Sequence, residues 1–230
     1  MSKFSNVKVI LIDIDNTLLD FNRGSEASMM KCMAHFGLPV PEGMYATFKR
    51  VNDGLWHRIE KGELTKDELH RIRWGLVFEE LGIDFDGVTF EAEFLETLKY
   101  SSVPVDGAFE LLKYLGGKYK VFAASNAPSV QQRSRLKNCG MLEYFDGLFI
   151  SEEVGHPKPS AAFFDACFEK LGGVGKDEVV MIGDSLTADI YGGIEYGLST
   201  IWFNFDRRDV PADLEDTKVV WSLSEIGEIV

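Results

Sequence analysis

Val7-Lys8-Val9-Ile10-Leu11-Ile12-Asp13-Ile14-Asp15-Asn16-Thr17 is the stretch on which the fold turns. Val7 to Ile12 is aliphatic apart from Lys8 and rich in β-branched residues, the composition of a central parallel strand covered on both faces. Strand side chains alternate, so Asp13 and Asp15 leave on one side while Ile14 turns to the other. Two like charges at adjacent same-face positions repel. At the end of an apolar strand they need a cation or a shared proton to offset that cost. Alone, the pair is compatible with simple capping of the next turn, and the rest of the chain has to decide between capping and chemistry.

Three later segments share its character. Tyr119 to Ala124 reads as a second strand ending at Ser125-Asn126, ahead of a helix starting near Pro128. A hydroxyl and backbone N–H groups at such a junction suit a phosphate oxygen. Gly155-His156-Pro157-Lys158-Pro159 brackets a single lysine with two prolines that stiffen the backbone. Glu178 to Ile182 is a third strand, followed by Gly183-Asp184-Ser185-Leu186-Thr187-Ala188-Asp189. Gly183 permits a tight exit, from which Asp184 can reach the crevice of Asp13, and Asp189 falls at the start of the next helix. A Ser-Asn turn or a lone lysine is ordinary in isolation. In this order the four segments supply a carboxylate nucleophile, a second carboxylate, a hydroxyl, a cation and a further acidic pair, an inventory for moving a phosphoryl group with the help of Mg²⁺.

Between the first and second strands the pattern changes. From Phe21 to about Ser102 no run reads as a strand. Phe48, Val51, Leu55 and Ile59 recur at helical spacing. Thr65-Lys66-Asp67-Glu68 has the form of a capping box, and Leu69, Ile72, Leu76 and Leu81 continue an apolar stripe to Gly82. Phe90, Phe94 and Leu98 mark a further helix. Beyond Pro104-Val105-Asp106-Gly107, strands at 119–125, 146–150, 178–183 and 199–203 alternate with helices near 107–116, 128–138, 160–171 and 187–196. The expected fold is therefore α/β, a doubly wound Rossmann-like parallel sheet made of residues 1–21 and 103–230, with residues 22–102 inserted as a helical domain. Ligands of such sheets bind beyond the carboxyl ends of the strands, where Asp13, Ser125 and Asp184 lie.

The four segments, in this order, resemble the motifs of the haloacid dehalogenase superfamily, most of whose members are phosphatases. The resemblance implies Asp13 as nucleophile and Asp15 as general acid/base, with its backbone carbonyl also on the metal. It implies Ser125 and Lys158 as catalytic contacts of the transferred group, with Asn16, Thr17 and Asn126 completing the phosphate pocket. Mg²⁺ would be held by Asp13, Asp15, Asp184 and Asp189. Superfamily dehalogenases lack an acid at the position of Asp15, so an aspartate there implies phosphoester chemistry. The insertion resembles the type-one cap, which closes over the crevice and reads the leaving group; Phe21, Asn22, Trp56 and Arg73 are the candidate readers. Trp56 and Trp74 equally suit helix-on-helix packing, and His57 lacks metal-ligand partners at useful spacing. The strings at 13–21, 151–159 and 183–193 are similar to the pyrimidine 5′-nucleotidase branch, although Ala127 stands where that branch usually has glycine. A nucleoside 5′-monophosphate phosphatase is the first expectation and a sugar-phosphate or phosphoglycolate phosphatase the second. A phosphoglucomutase fits less well, and a catalytically silent scaffold would have no use for the adjacent like charges.

Composition sets the remaining bounds. The chain has 230 residues, 45% hydrophobic and 27% charged, as in a globular protein. A formal net charge of −13 argues against a nucleic acid polymer as partner and for a small phosphorylated metabolite met by local positive charge. No stretch reads as a secretory signal or a membrane span. The three cysteines, Cys32, Cys139 and Cys167, have no metal-ligand spacing, so reduced thiols in the cytoplasm are expected, in a monomer or homodimer.

Overall fold

The computed structural model describes residues 4–214 and 217–230. Its backbone forms a six-stranded sheet of β1 (Val9–Ile12), β2 (Lys120–Ser125), β3 (Gly147–Ile150), β4 (Val179–Gly183), β5 (Ser199–Phe203) and β6 (Lys218–Val220), in the order β3-β2-β1-β4-β5-β6. Every neighbouring pair is parallel. The four residues of β1 are buried, which is why the all-aliphatic strand takes an inner position. Pleating then sorts its side chains. Ile10 and Ile12 join Val121, Ala123, Val180 and Ile182 on one face, under Leu111, Leu112 and Leu115 of α5 (Ala108–Gly116). Val9 and Leu11 join Ala124, Val179 and Met181 on the other, against Phe163, Phe164 and Cys167.

Register aligns the carboxyl ends of the inner strands. Ile12 lies opposite both Ala123 of β2 and Ile182 of β4, so Asp13, Ala124 and Gly183 follow at one level. Around the sheet run α6 (Ser129–Asn138), α7 (Ser151–Val154), α8 (Ala161–Leu171), α9 (Gly192–Tyr196) and α10 (Ile226–Ile229). The helix expected from 187 begins differently from the others: Leu186–Tyr191 is a π-helical turn that passes into α9. Strand β6 was not anticipated. Its three residues are too short for periodicity to register, as is common for an edge strand. Among the described residues no helix is long and apolar enough to cross a membrane.

Contacts divide the chain into two units, Met1–Asp20 with Val103–Val230, and Phe21–Ser102. The second holds α1 (Phe21–Phe36), α2 (Met44–Glu60), α3 (Lys66–Leu81) and α4 (Gly87–Leu98). Its core is aromatic: Phe48 stacks on Trp74 at 4.8 Å, and Trp74 meets Phe90 at 4.4 Å and Phe94 at 5.1 Å. Helix α3 begins as its sequence requires, with Glu68 N donating to Thr65 Oγ1 at 3.2 Å and Thr65 N to Glu68 Oε2 at 2.8 Å. It ends at Gly82, whose φ of 65° suits a residue without Cβ. Helix α4 approaches α3 closely: a Cβ on Gly87 would stand 2.3 Å from Gly75 N.

The buried stripe of α3 differs from the one its aliphatic residues suggest. Leu69, Arg73, Trp74, Val77 and Phe78 are buried, whereas Leu76 is 41% exposed. The helix is rotated because Arg73 is tolerated inside. Its guanidinium donates to Glu91 at 3.1 and 2.6 Å and to Asn52 at 2.9 Å, and lies 5.1 Å above Phe94. His70 Nδ1 also pairs with Glu91 Oε1, at 2.7 Å.

Removing one partner of a buried ion pair strands the other charge. Glu91→Ala is expected to cost the helical unit about 3 kcal/mol in urea unfolding. The double variant Arg73→Met, Glu91→Leu is expected to recover most of that loss, and equal losses in the two variants would contradict this account.

Candidate functional site

The site is assembled at the carboxyl ends of β1, β2 and β4. Asp13 continues β1, with its N–H donating to Ile182 O at 2.8 Å. Ile14 then turns into the core, as strand alternation requires, and Asn16 takes a left-handed φ of 56° that starts the turn. Leu18 and Leu19 both donate to Ile14 O, and Asn16 N donates to Leu19 O at 2.7 Å, which closes the loop back on itself. Thr17 is fully buried, and its hydroxyl has no hydrogen-bond partner among the described residues.

Lys158 is the hub. It is 1% exposed, and its Nζ donates to Asp13 Oδ1 at 2.8 Å, Asp189 Oδ1 at 2.6 Å and Ala124 O at 2.5 Å. Asn126 locates the loop that carries it: Asn126 Nδ2 donates to Lys158 O and Lys158 N donates to Asn126 Oδ1, both at 2.9 Å. The Asn126 side chain therefore serves as a clamp on the lysine loop. The Lys158–Pro159 peptide is cis.

Asp189 is equally constrained. Ser185 Oγ caps the π-helical turn by accepting from Ala188 N at 3.1 Å, and Ser185 N donates to Asp189 Oδ2 at 3.1 Å. A Cβ on residue 183 would lie 2.1 Å from Asp189 Oδ2, so only glycine leaves room for this carboxylate. Asp184 is half-buried, and its backbone carbonyl accepts from Trp202 Nε1 at 3.0 Å and from Arg208 Nη2 at 2.6 Å.

Asp13, Asp184 and Asp189 each offer a carboxylate oxygen, all within 4.8 Å of one another. One lysine cannot neutralise three carboxylates. Burial, resisted by Lys158 and reinforced by Asp189 and Asp15, pushes the Asp13 carboxyl up to about 8. Burial with the charges of Asp13 and Asp189 raises Asp184 well above the usual carboxylate range, and burial raises Asp189 against the pull of Lys158. Burial works against the Lys158 ammonium, but Asp13 and Asp189 outweigh it and hold its pKa above the ordinary lysine range. An excess of crowded carboxylate oxygens, with no sulfur or imidazole among them, fits a hard divalent cation such as Mg²⁺.

Ser125 and Asp15 face a different set of partners. Ser125 is buried, and its Oγ accepts from Ala127 N at 3.2 Å and from Gln132 Nε2 at 2.9 Å. With its acceptor sites taken, the hydroxyl proton is left to donate outward. The methyl of Ala127, the position that departs from the glycine expected there, is 7% exposed beside it. The Asp15 carboxylate stands apart from the acidic triad, bonded through Oδ1 to Arg135 and through Oδ2 to Gln132 Nε2 at 2.6 Å. Gln132 and Arg135 went unrecognised in the sequence. A signal existed: α6 reads Ser-Val-Gln-Gln-Arg-Ser-Arg-Leu-Lys-Asn, with too few apolar residues to dock by burial alone, so its inward polar groups need partners.

The four candidate readers of a leaving group fall in the helical unit. Arg73 is 2% exposed with its guanidinium committed to Glu91 and Asn52, which corrects its expected role as a cation open to substrate. Trp56 packs against Leu55, Ile59 and Leu69. Phe21 packs on the aromatic cluster, and Asn22 offers its carbonyl to Tyr45 Oη at 2.7 Å and Ser25 Oγ at 3.1 Å. Trp74 is a core residue, and His57 is exposed near Glu60.

A family model described as haloacid dehalogenase-like hydrolase matches residues 7–197. The pyrimidine 5′-nucleotidase PynA of Streptococcus pneumoniae is 31% identical over 220 residues, covering 95% of this chain and 93% of that protein. The pyrimidine 5′-nucleotidase YjjG of Escherichia coli is 32% identical over 221 residues, covering 96% of each. The crystal structure of the HAD-hydrolase YfnB of Bacillus subtilis bound to magnesium superposes with a TM-score of 0.92 at 31% identity, covering 98% of this chain and 99% of that one.

The raised carboxyls make a linkage prediction. Asp13, ordinarily near 3.8 and raised to about 8, favours the fold in its protonated form, so that contribution is lost as pH rises from about 4 through about 8. Lys158, raised rather than lowered, stays charged across that window and adds no slope. In EDTA the melting temperature is expected to fall between about pH 6 and pH 8, and the gain on adding Mg²⁺ to be larger at pH 8, where fewer protons compete. A gain that is absent, or larger at pH 6, would refute the triad as a cation site.

Proposed function

The chain belongs to the haloacid dehalogenase-like hydrolases, and on that premise we propose that it is a Mg²⁺-dependent phosphatase of small phosphomonoesters, a nucleoside 5′-monophosphate foremost among them. The observation that carries the reading is one buried ammonium, Lys158, bridging Asp13 and Asp189 while Asp184 lies in the same acidic cluster. It leaves Asp13 Oδ2 as the oxygen without the lysine bond, and that oxygen would attack phosphorus. As the new O–P bond forms, the bond from phosphorus to the leaving oxygen breaks, and Asp15 gives that oxygen a proton. Water then attacks the aspartyl-phosphate, losing its proton to Asp15 and freeing Asp13 and phosphate.

Each remaining side chain has a part that follows from its bonds. Lys158 offsets negative charge on the nucleophile and on the phosphoryl oxygens. Ser125 donates its hydroxyl proton to one of those oxygens, since its acceptor sites are filled. Asp13, Asp184 and Asp189, with the carbonyl of Asp15, would hold Mg²⁺, which supplies the positive charge that draws a phosphate ester into an acidic protein. The nucleotide preference is supported by the activities of PynA and YjjG and by the similarity over almost the whole of both chains. The free thiols of Cys32, Cys139 and Cys167 suit a reducing compartment such as the cytoplasm.

Phosphate release from a panel of nucleoside, sugar and glycolate monophosphates is the test. Release is expected to be greatest with a pyrimidine nucleoside 5′-monophosphate, to stop in EDTA, and to fall by at least about 10³-fold in Asp13→Asn, whose amide is a poor nucleophile. Near-normal turnover by that variant would exclude the covalent mechanism, and preference for a sugar or glycolate ester would exclude the nucleotide reading.

A further inference from the structure

The Asp15 carboxylate is held at both oxygens by one helix. Arg135, fully buried, donates through Nη1 to Asp15 Oδ1 and also to Gln132 Oε1 at 3.0 Å. Gln132, likewise fully buried, donates through Nε2 to Asp15 Oδ2 at 2.6 Å and to Ser125 Oγ at 2.9 Å. Both residues lie on α6, three positions apart and so on one face of it, and Leu136 beside them is seated in the core. Asp15 itself is about a quarter exposed at its side chain, so it can be reached from outside while its anchors cannot.

We propose that Arg135 and Gln132 are the positioning residues of Asp15, with Arg135 as a permanent anchor and Gln132 as an exchangeable one. The asymmetry follows from what each donor would lose. Losing the Oδ1 bond would take from the buried Arg135 charge the carboxylate it pairs with, which is costly, so that bond persists through the reaction. Gln132 keeps its bond to Ser125 when Oδ2 departs, and its amide, unlike the guanidinium, has no charge of its own to leave unpaired. Oδ2 is therefore the oxygen that can be handed from Gln132 to the leaving group. In the first step Asp15, which enters the cycle protonated at Oδ2, turns that oxygen from Gln132 and gives its proton to the leaving oxygen as the bond to phosphorus breaks; in the second Oδ2 takes a proton from the attacking water, which restores the acid. The shared Gln132 amide also ties the aim of the acid to the hydroxyl that grips the phosphoryl group.

The inference rests on the phosphatase reading, and the experiment separates the two. kcat and KM are measured on a nucleoside 5′-monophosphate, whose alkoxide must be protonated to leave, and on p-nitrophenyl phosphate, whose phenolate leaves unaided. Wild-type protein is compared with Asp15→Asn, Arg135→Met and Arg135→Lys. Loss of an aimed acid is expected to lower kcat on the nucleotide about 10- to 100-fold more than on the aryl ester in Arg135→Met, with KM little changed. Arg135→Lys, which keeps the charge with a less directed donor, is expected to fall between. It also carries the test should the methionine variant fail to fold. Equal losses on both esters in the Arg135 variants, while Asp15→Asn discriminates between them, would overturn the positioning role and leave the phosphatase standing. Wild-type protein inactive on both esters would overturn both.

Discussion

One buried ammonium among three carboxylates is the constraint from which the site is organised. Lys158 touches Asp13 just after β1, the backbone carbonyl of Ala124 within β2, and Asp189 from the π-helical turn after β4. Each contact lies out of water, where charge pairs are strong and unpaired charges costly. The lysine satisfies part of the negative charge and leaves the rest as a standing demand for a second cation. The structure meets this strain by fixing every participant from behind. Asn126 clamps the lysine loop, Gly183 makes room for Asp189, and Trp202 and Arg208 hold the Asp184 carbonyl.

Much of this was legible in the chain before any coordinates. The aliphatic run into Asp13, the strand ending at Ser125 and the strand ending at Gly183 each carry a strong local signal. A parallel sheet then places their ends together with little freedom left. The helical insertion was equally plain, because capping box, αL glycine and aromatic spacing agree within α3 and α4. Alternation and capping are properties of neighbours in sequence, and neighbours in sequence were enough.

What escaped reading depends on partners far along the chain. Arg73 is buried because Glu91 and Asn52 meet it, and nothing within α3 announces that. Periodicity of aliphatic residues therefore chose Leu76 for the core, and the helix is rotated away from that choice. Asn126 is marked in the sequence by its place after Ser125, but the partner its side-chain amide grips, the backbone of Lys158, lies 32 residues further on. Gln132 and Arg135 lie within ordinary helical sequence and gain meaning only across the more than one hundred residues that separate them from Asp15. Polar side chains that are buried by pairing leave no periodic trace, since polarity is read as exposure.

The strand order has a bearing on how the molecule is made. β1 leaves the ribosome before either of its neighbours, since Val9 pairs with Lys120 on one side and Val179 on the other. Until both have been synthesised, the most apolar strand of the chain has no sheet to enter. The four helices between Phe21 and Ser102 close their contacts within one contiguous stretch and can form while β1 is still unpartnered. Vectorial synthesis thus leaves the aliphatic segment ending in Asp13 as the element longest exposed to wrong partners. Its terminal carboxylates then acquire a second use: with Lys8 at the other end of the strand, they are the charges that oppose its aggregation during that wait.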